Sequence, residues 1–208
     1  MTSEFKDVLA VAASFCQIIQ LLSGVLVCRK FIKRGSANDV SALPFICGYT
    51  SCALWTNYGM MIEEMAITLV NILGTALFFG YVVTVYSYTT KKNNILKQML
   101  FSILFIATAY AYKKSIEDKE ILKLRFGMIC CAVTLSFFAA PLANLAQVIK
   151  TKSSETLPFP VILMTMIVTL LWTSYGYLIN DTFIVYPNAL GLLLSCFQLF
   201  LFVIYPSR

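Results

Sequence analysis

The chain has 208 residues, of which 59% are hydrophobic and only 12% charged, with no histidine and a formal net charge of +6. Soluble domains carry about a quarter of their residues as charged side chains; this composition, with a mean hydropathy of +0.79, excludes a soluble fold and marks an integral membrane protein. The positive balance calls for no nucleic-acid partner, because the charges that flank membrane spans account for it.

Apolar runs of about 20 residues, the length that crosses ~30 Å of hydrocarbon, recur seven times, at about 8–28, 43–62, 65–88, 95–112, 126–149, 157–178 and 182–205. Barrel strands would be half as long and would alternate apolar with polar residues. These runs do not alternate, so they are predicted to be helices, and the short connectors leave no room for a separate soluble domain. The first run is preceded by Glu4 and Asp7 rather than a basic flank and is longer than a signal-peptide core, so it is expected to be retained. Arg29, Lys30, Lys33 and Arg34 follow the first span, Lys91, Lys92 and Lys97 the third, and Lys150 and Lys152 the fifth, whereas the connectors after the second and sixth hold no basic residue. By the positive-inside rule the first set is cytosolic, which puts the N-terminus on the extracellular or lumenal side and the C-terminus in the cytosol. Residues 113–125 go against the rule, with Lys113, Lys114, Lys119, Lys123 and Arg125 on the outer side among Glu117, Asp118 and Glu120.

Away from their edges the seven spans contain no Asp, Glu, Lys, Arg or His. Ion-coupled pumps usually bury a titratable group, so proton coupling has no obvious carrier here. The spans also lack an acidic pair, a serine–base dyad and a metal cluster, so the chain is expected not to be an enzyme and to need no cofactor or metal. Of the seven cysteines, Cys16, Cys47, Cys52, Cys130, Cys131 and Cys196 lie in spans and Cys28 at a span end, without metal-site spacing. They read as small apolar packing residues.

Residues 55–59 read WTNYG and residues 172–176 read WTSYG, 117 positions apart. The same shift sets Asn71 on Asn188, Gly74 on Gly191, Ile62 on Ile179, Ile67 on Ile184, Leu73 on Leu190, Leu77 on Leu194, Glu64 on Asp181 and Lys33 on Lys150. Leu43-Pro44-Phe45 matches Leu157-Pro158-Phe159 at a shift of 114, a slip that a loop tolerates. Spans one to three and five to seven are therefore copies, and the fourth has no twin. Three helices is an odd number, so directly joined copies would be inverted. The extra helix restores a common orientation and gives parallel repeats. The organisation read from the chain is a first triple-helix bundle at 1–90, a linker helix and loop at 91–122, and a second triple-helix bundle at 123–208.

Asn71 and Asn188 are the first candidates for function. An amide in hydrocarbon costs ~2–7 kcal/mol without a partner, so each must meet a neighbouring helix, as interhelical glue does, or an aqueous cavity. Their matched places in two repeats favour a shared site, and amides suit neutral hydroxyls. Trp55 and Trp172 have two readings as well: interfacial anchors, or flat aromatic faces on which a ligand ring stacks. Pro44, Pro141 and Pro158 lie near span ends, as helix starts or as kink points.

In its order of motifs the chain resembles the SWEET sugar transporters, the saliva/MtN3 group, and the animal members in particular. The resemblance rests on LPFICGYTSCALWTNYGM, LVNILGTALF, AAPLANLAQVIKTKSSETLPFP and LLWTSYGYLINDTFIVYPNALG, with a lone helix between the two halves. It implies that Asn71 and Asn188 hold the sugar and that Trp55 and Trp172 line the pocket beside them. It also implies hinges at four matched places, of which Pro44, Pro141 and Pro158 keep the proline and Gly24 replaces it, and an outer gate made by Tyr58 and Asp181. The implied activity is facilitative uniport of mono- or disaccharides, glucose foremost, by alternating access in the plasma membrane or the Golgi, from a homo-oligomer embedded in the lipid bilayer. A seven-helix receptor, or a cargo or sorting receptor without solute flux, is the rival reading.

Overall fold

The computed structural model describes residues 2–155 and 157–205. Among these, all regular structure is helical, in eight segments: α1 Thr2–Arg34, α2 Leu43–Met61, α3 Met65–Tyr88, α4 Lys92–Lys114, α5 Lys119–Ser136, α6 Ala139–Thr151, α7 Phe159–Leu178 and α8 Thr182–Ile204. Only Phe137 and Phe138 separate α5 from α6, and the two make one span broken in the middle. Among the described residues six spans are long and apolar enough to cross a membrane: Glu4–Arg34, Met65–Tyr88, Lys92–Lys114, Lys119–Thr151, Phe159–Leu178 and Thr182–Ile204. The seventh, α2, is 19 residues long and carries Thr50, Ser51, Thr56 and Asn57 among its apolar residues. The expected all-helical membrane architecture is present. Large apolar side chains cover the outside, Phe101 at 73% and Val203 at 79% exposure among them, as a hydrocarbon solvent requires.

Local chemistry sets the helix ends. Pro44 and Pro160 sit in the first turns of α2 and α7, where a missing N–H breaks no bond, and Pro158 is the N-cap of α7. The repeat reappears in the turns that close α2 and α7. The Ile62 N–H donates to the Tyr58 carbonyl (3.1 Å) and the Glu64 N–H to Gly59 (2.9 Å); the Ile179 N–H donates to Tyr175 (3.1 Å) and the Asp181 N–H to Gly176 (2.9 Å). Glu63 (φ 60°) and Asn180 (φ 54°) take the left-handed conformation that ends a helix this way.

Leu21–Cys130 forms one compact unit, and the described residues on either side of it form the other. In the first, α2 packs on α3 and α4, and α3 on α4. Its core gathers Phe31, Ile46, Tyr81, Val85 and Ile95. In the second, α8 packs on α6 and α7 around Leu145, Val148, Ile162 and Leu201. The first half of α1 belongs to this second unit, where Gln20 Nε2 donates to Thr165 Oγ1 at 2.9 Å.

Candidate functional site

Each unit carries one copy of the same constellation. In the first, Asn71 on α3 is 7% exposed and its Nδ2 donates to the Ile67 carbonyl at 2.8 Å. In the second, half-buried Asn188 on α8 donates from Nδ2 to the Ile184 carbonyl, also at 2.8 Å. A backbone carbonyl only accepts, so this bond fixes the orientation of each amide. It uses one of two N–H groups and leaves the other N–H and the amide oxygen as the groups with capacity for a hydroxyl-bearing ligand.

The tryptophans are held alike. Trp55 meets Tyr58 edge-on, with ring centroids 5.4 Å apart and planes at 80°, and Trp172 meets Tyr175 at 5.5 Å and 90°. Both tyrosines are buried, at 0% and 1% exposure. Such T-shaped pairs are favourable and hold the indoles in defined orientations. Trp172 is itself buried, and its Nε1 has no acceptor among the described residues, although a buried donor normally has a partner. Gly74 and Gly191 let the paired helices close below these residues. A Cβ at Gly74 would lie 2.7 Å from Cys52 Sγ, and one at Gly191 would lie 3.0 Å from Thr169 Cγ2. Cys52 and Thr169 are themselves matched by the 117-residue shift.

Of the two gate candidates, Tyr58 lies fully buried in the last turn of α2, and Asp181 is 2% exposed at the N-cap of α8. Asp181 Oδ1 accepts from the N–H groups of Phe183 (3.0 Å) and Ile184 (3.2 Å), whereas its counterpart Glu64 makes no side-chain capping bond to α3. Two partners went unread in the sequence. Tyr175 was legible as the twin of Tyr58, but Lys6, whose Nζ lies 5.9 Å from the Tyr175 ring centroid, carries no motif. At the hinge positions, Gly24 lies inside unbroken α1 and Pro141 lies just after the Phe137–Phe138 break. Among the described residues no group of His, Cys, Asp and Glu has the makings of a metal site. None of the seven cysteines is in a disulfide.

Seven helical spans with a polar, aromatic constellation written once in each half define an integral membrane protein of the transporter class. The family model described as "Sugar efflux transporter for intercellular exchange" matches residues 7–93 and 124–208. Similar proteins include Sugar transporter SWEET1 of Drosophila pseudoobscura pseudoobscura, 44% identical over all of this chain and 93% of the relative, and Sugar transporter SWEET1 of Danio rerio, 29% identical over 96% of this chain and 91% of the relative. A solved eukaryotic SWEET transporter superimposes with a TM-score of 0.90 at 25% identity, covering 98% of this chain and 97% of that one. The chain belongs to the SWEET (MtN3/saliva) family, a family of transporters and not of enzymes.

Proposed function

We propose that this chain carries sugars across a membrane down their gradient, as a uniporter working by alternating access, with glucose as its first substrate. The observation that carries this reading is the duplicated half-site. Asn71 and Asn188 present identically anchored amides, which match the hydroxyls of a neutral sugar. Trp55 and Trp172 present aromatic faces to its apolar face, and the Trp172 Nε1 donor is suited to a hydroxyl oxygen. Family membership and the absence of Asp, Glu, Lys, Arg and His from the span interiors support passive transport over ion coupling.

On this reading the helices act as two parallel triple-helix bundles, 1–90 and 123–208, joined by the linker at 91–122. Pro44, Pro141, Pro158 and Gly24 serve as flexing points, and Tyr58 and Asp181 close the outer side. The N-terminus faces the outside or the lumen and the C-terminus the cytosol, in the plasma membrane or the Golgi, with homo-oligomeric assembly. The test is uptake of labelled glucose, with sucrose in parallel, into proteoliposomes of the purified protein, with and without an imposed proton gradient. Saturable glucose flux that ignores the gradient and disappears in Asn188→Ala is the expected result. A well-folded preparation that moves neither sugar refutes the transporter reading in favour of a receptor.

A further inference from the structure

Pro187 sits inside α8, one residue before Asn188. In an α-helix the N–H of residue 187 donates to the carbonyl of residue 183; proline has no N–H, so that bond is missing and the Phe183 carbonyl loses its helical donor. A proline is tolerated in a span where a neighbouring side chain re-satisfies the backbone group it frees. The Sγ of Cys131, on α5, lies 3.3 Å from the Phe183 carbonyl oxygen.

We propose that Cys131 is a positioning residue: its thiol donates to the carbonyl that Pro187 releases and so holds against α5 the opening turns of α8 that carry Asn188. A thiol is a weak donor, but it is small and apolar enough for a helix interface. The carbonyl it engages is tied in on both sides. Phe183 and Ile184 give their N–H groups to Asp181 Oδ1, and the next carbonyl, that of Ile184, holds the Asn188 amide. A shift in the backbone at Phe183 therefore carries directly to Asn188.

The internal repeat supplies a comparison within the same chain. The shift of 117 places Pro187 on Val70, whose N–H is intact, and α3 runs from Met65 to Tyr88 with no proline in it. It places Cys131 on Ser14, so the position takes a small donor side chain in either copy, but only the second copy has a proline to answer. Cys131 and α8 belong to one compact unit. If Cys131 were only a packing residue, its donor would be dispensable and its loss would cost the same whether or not Pro187 were present.

The inference rests on the reading of Asn188 as a sugar ligand, so the experiment uses two readouts. Hydrogen–deuterium exchange of the amides at 183–188 reports the cap, and the KM for glucose in proteoliposomes reports the position of Asn188. Cys131→Ala is expected to raise both the exchange rate and KM about threefold, the effect of an average interhelical hydrogen bond in a membrane protein. Cys131→Ser is expected to restore both to the wild-type values, and Cys131→Ala added to Pro187→Ala to change neither, because the carbonyl then has a helical donor again. Unchanged exchange in Cys131→Ala overturns the proposal, as does an equal effect with and without Pro187, or raised exchange with unmoved KM. If the proline variant does not fold, the contrast between the alanine and serine variants decides. Failure of the sugar-site reading is seen separately, as normal transport in Asn188→Ala.

Discussion

At the scale of single residues, Gly24 shows how a departure from the family pattern is absorbed. The resemblance expects proline there, and the structure shows Tyr81 filling the space a side chain would need. A Cβ at Gly24 would approach the Tyr81 ring to 2.8 Å at Cζ and 2.9 Å at Cδ2, while the Tyr81 hydroxyl donates to the Leu21 carbonyl at 3.0 Å. Gly24→Ala is therefore expected to lower stability by about 1–3 kcal/mol, the usual cost of overpacking, read as a drop in thermal midpoint in detergent. The loss should be smaller when Tyr81→Leu removes the ring. A gentler effect is expected at the membrane surface, where the guanidinium of Arg34 beside the exposed carboxyl of Asp39 holds its pKa below the usual range. A carboxylate with a depressed folded pKa adds stability above its unfolded pKa and loses it as pH falls through the folded value. Any difference in midpoint between wild type and Asp39→Asn should thus be small at neutral pH, vanish in acid and shrink with added salt.

At the scale of elements, one pair of matched spans differs. α1 runs 33 residues without interruption, but its twin stops at Ser136 and restarts at Ala139. The cause lies in Gly24 and Pro141, which the repeat aligns: glycine keeps its N–H, whereas proline removes the bond to Phe137 and its ring crowds that carbonyl. Pro141→Ala is expected to join α5 to α6, seen as slower amide exchange at 137–141. The unpaired helix α4 is tied to α2 by three hydrogen bonds that advance together along both helices: Thr50 Oγ1 with Ser102 Oγ (2.6 Å), Tyr110 to the Ala53 carbonyl (2.8 Å) and Lys113 Nζ to Asn57 Oδ1 (2.6 Å). Nothing in the hydropathy of residues 95–112 distinguishes this partner from any other, because apolar spans look alike until their polar side chains find one another. A double-mutant cycle of Thr50→Ala and Ser102→Ala should give a coupling of about 0.6 kcal/mol, with a ceiling near ~1.7 kcal/mol.

At the scale of the whole molecule, the charge pattern bears on energetics. The chain has no histidine, and histidine is the side chain whose ordinary pKa falls between about pH 5 and 8. Glucose uptake is therefore expected to stay flat across that range and to stop at equal concentrations on both sides; a bell-shaped profile or accumulation against the gradient would require a coupled proton. The doubled constellation was readable in advance because Trp55, Asn71, Trp172 and Asn188 stand at one fixed shift in a chain too apolar for chance polar matches. The tyrosine edges under both indoles come from residues three apart on one helix, whereas the ring above Gly24 was not readable, since it depends on which faces meet.

The sequence by itself determined the membrane environment, the seven helical spans, the copied triplets and the paired polar and aromatic residues. Each of these follows from composition, run length or periodicity, which are local or self-referential properties of a chain. Tertiary structure alone decided that the compact units divide within α1 and α5, that Lys6 lies over Tyr175, and that Cys131 meets Phe183. These depend on side chains far apart in sequence arriving at one place, and hydrophobic burial, being non-directional, does not say which apolar face meets which.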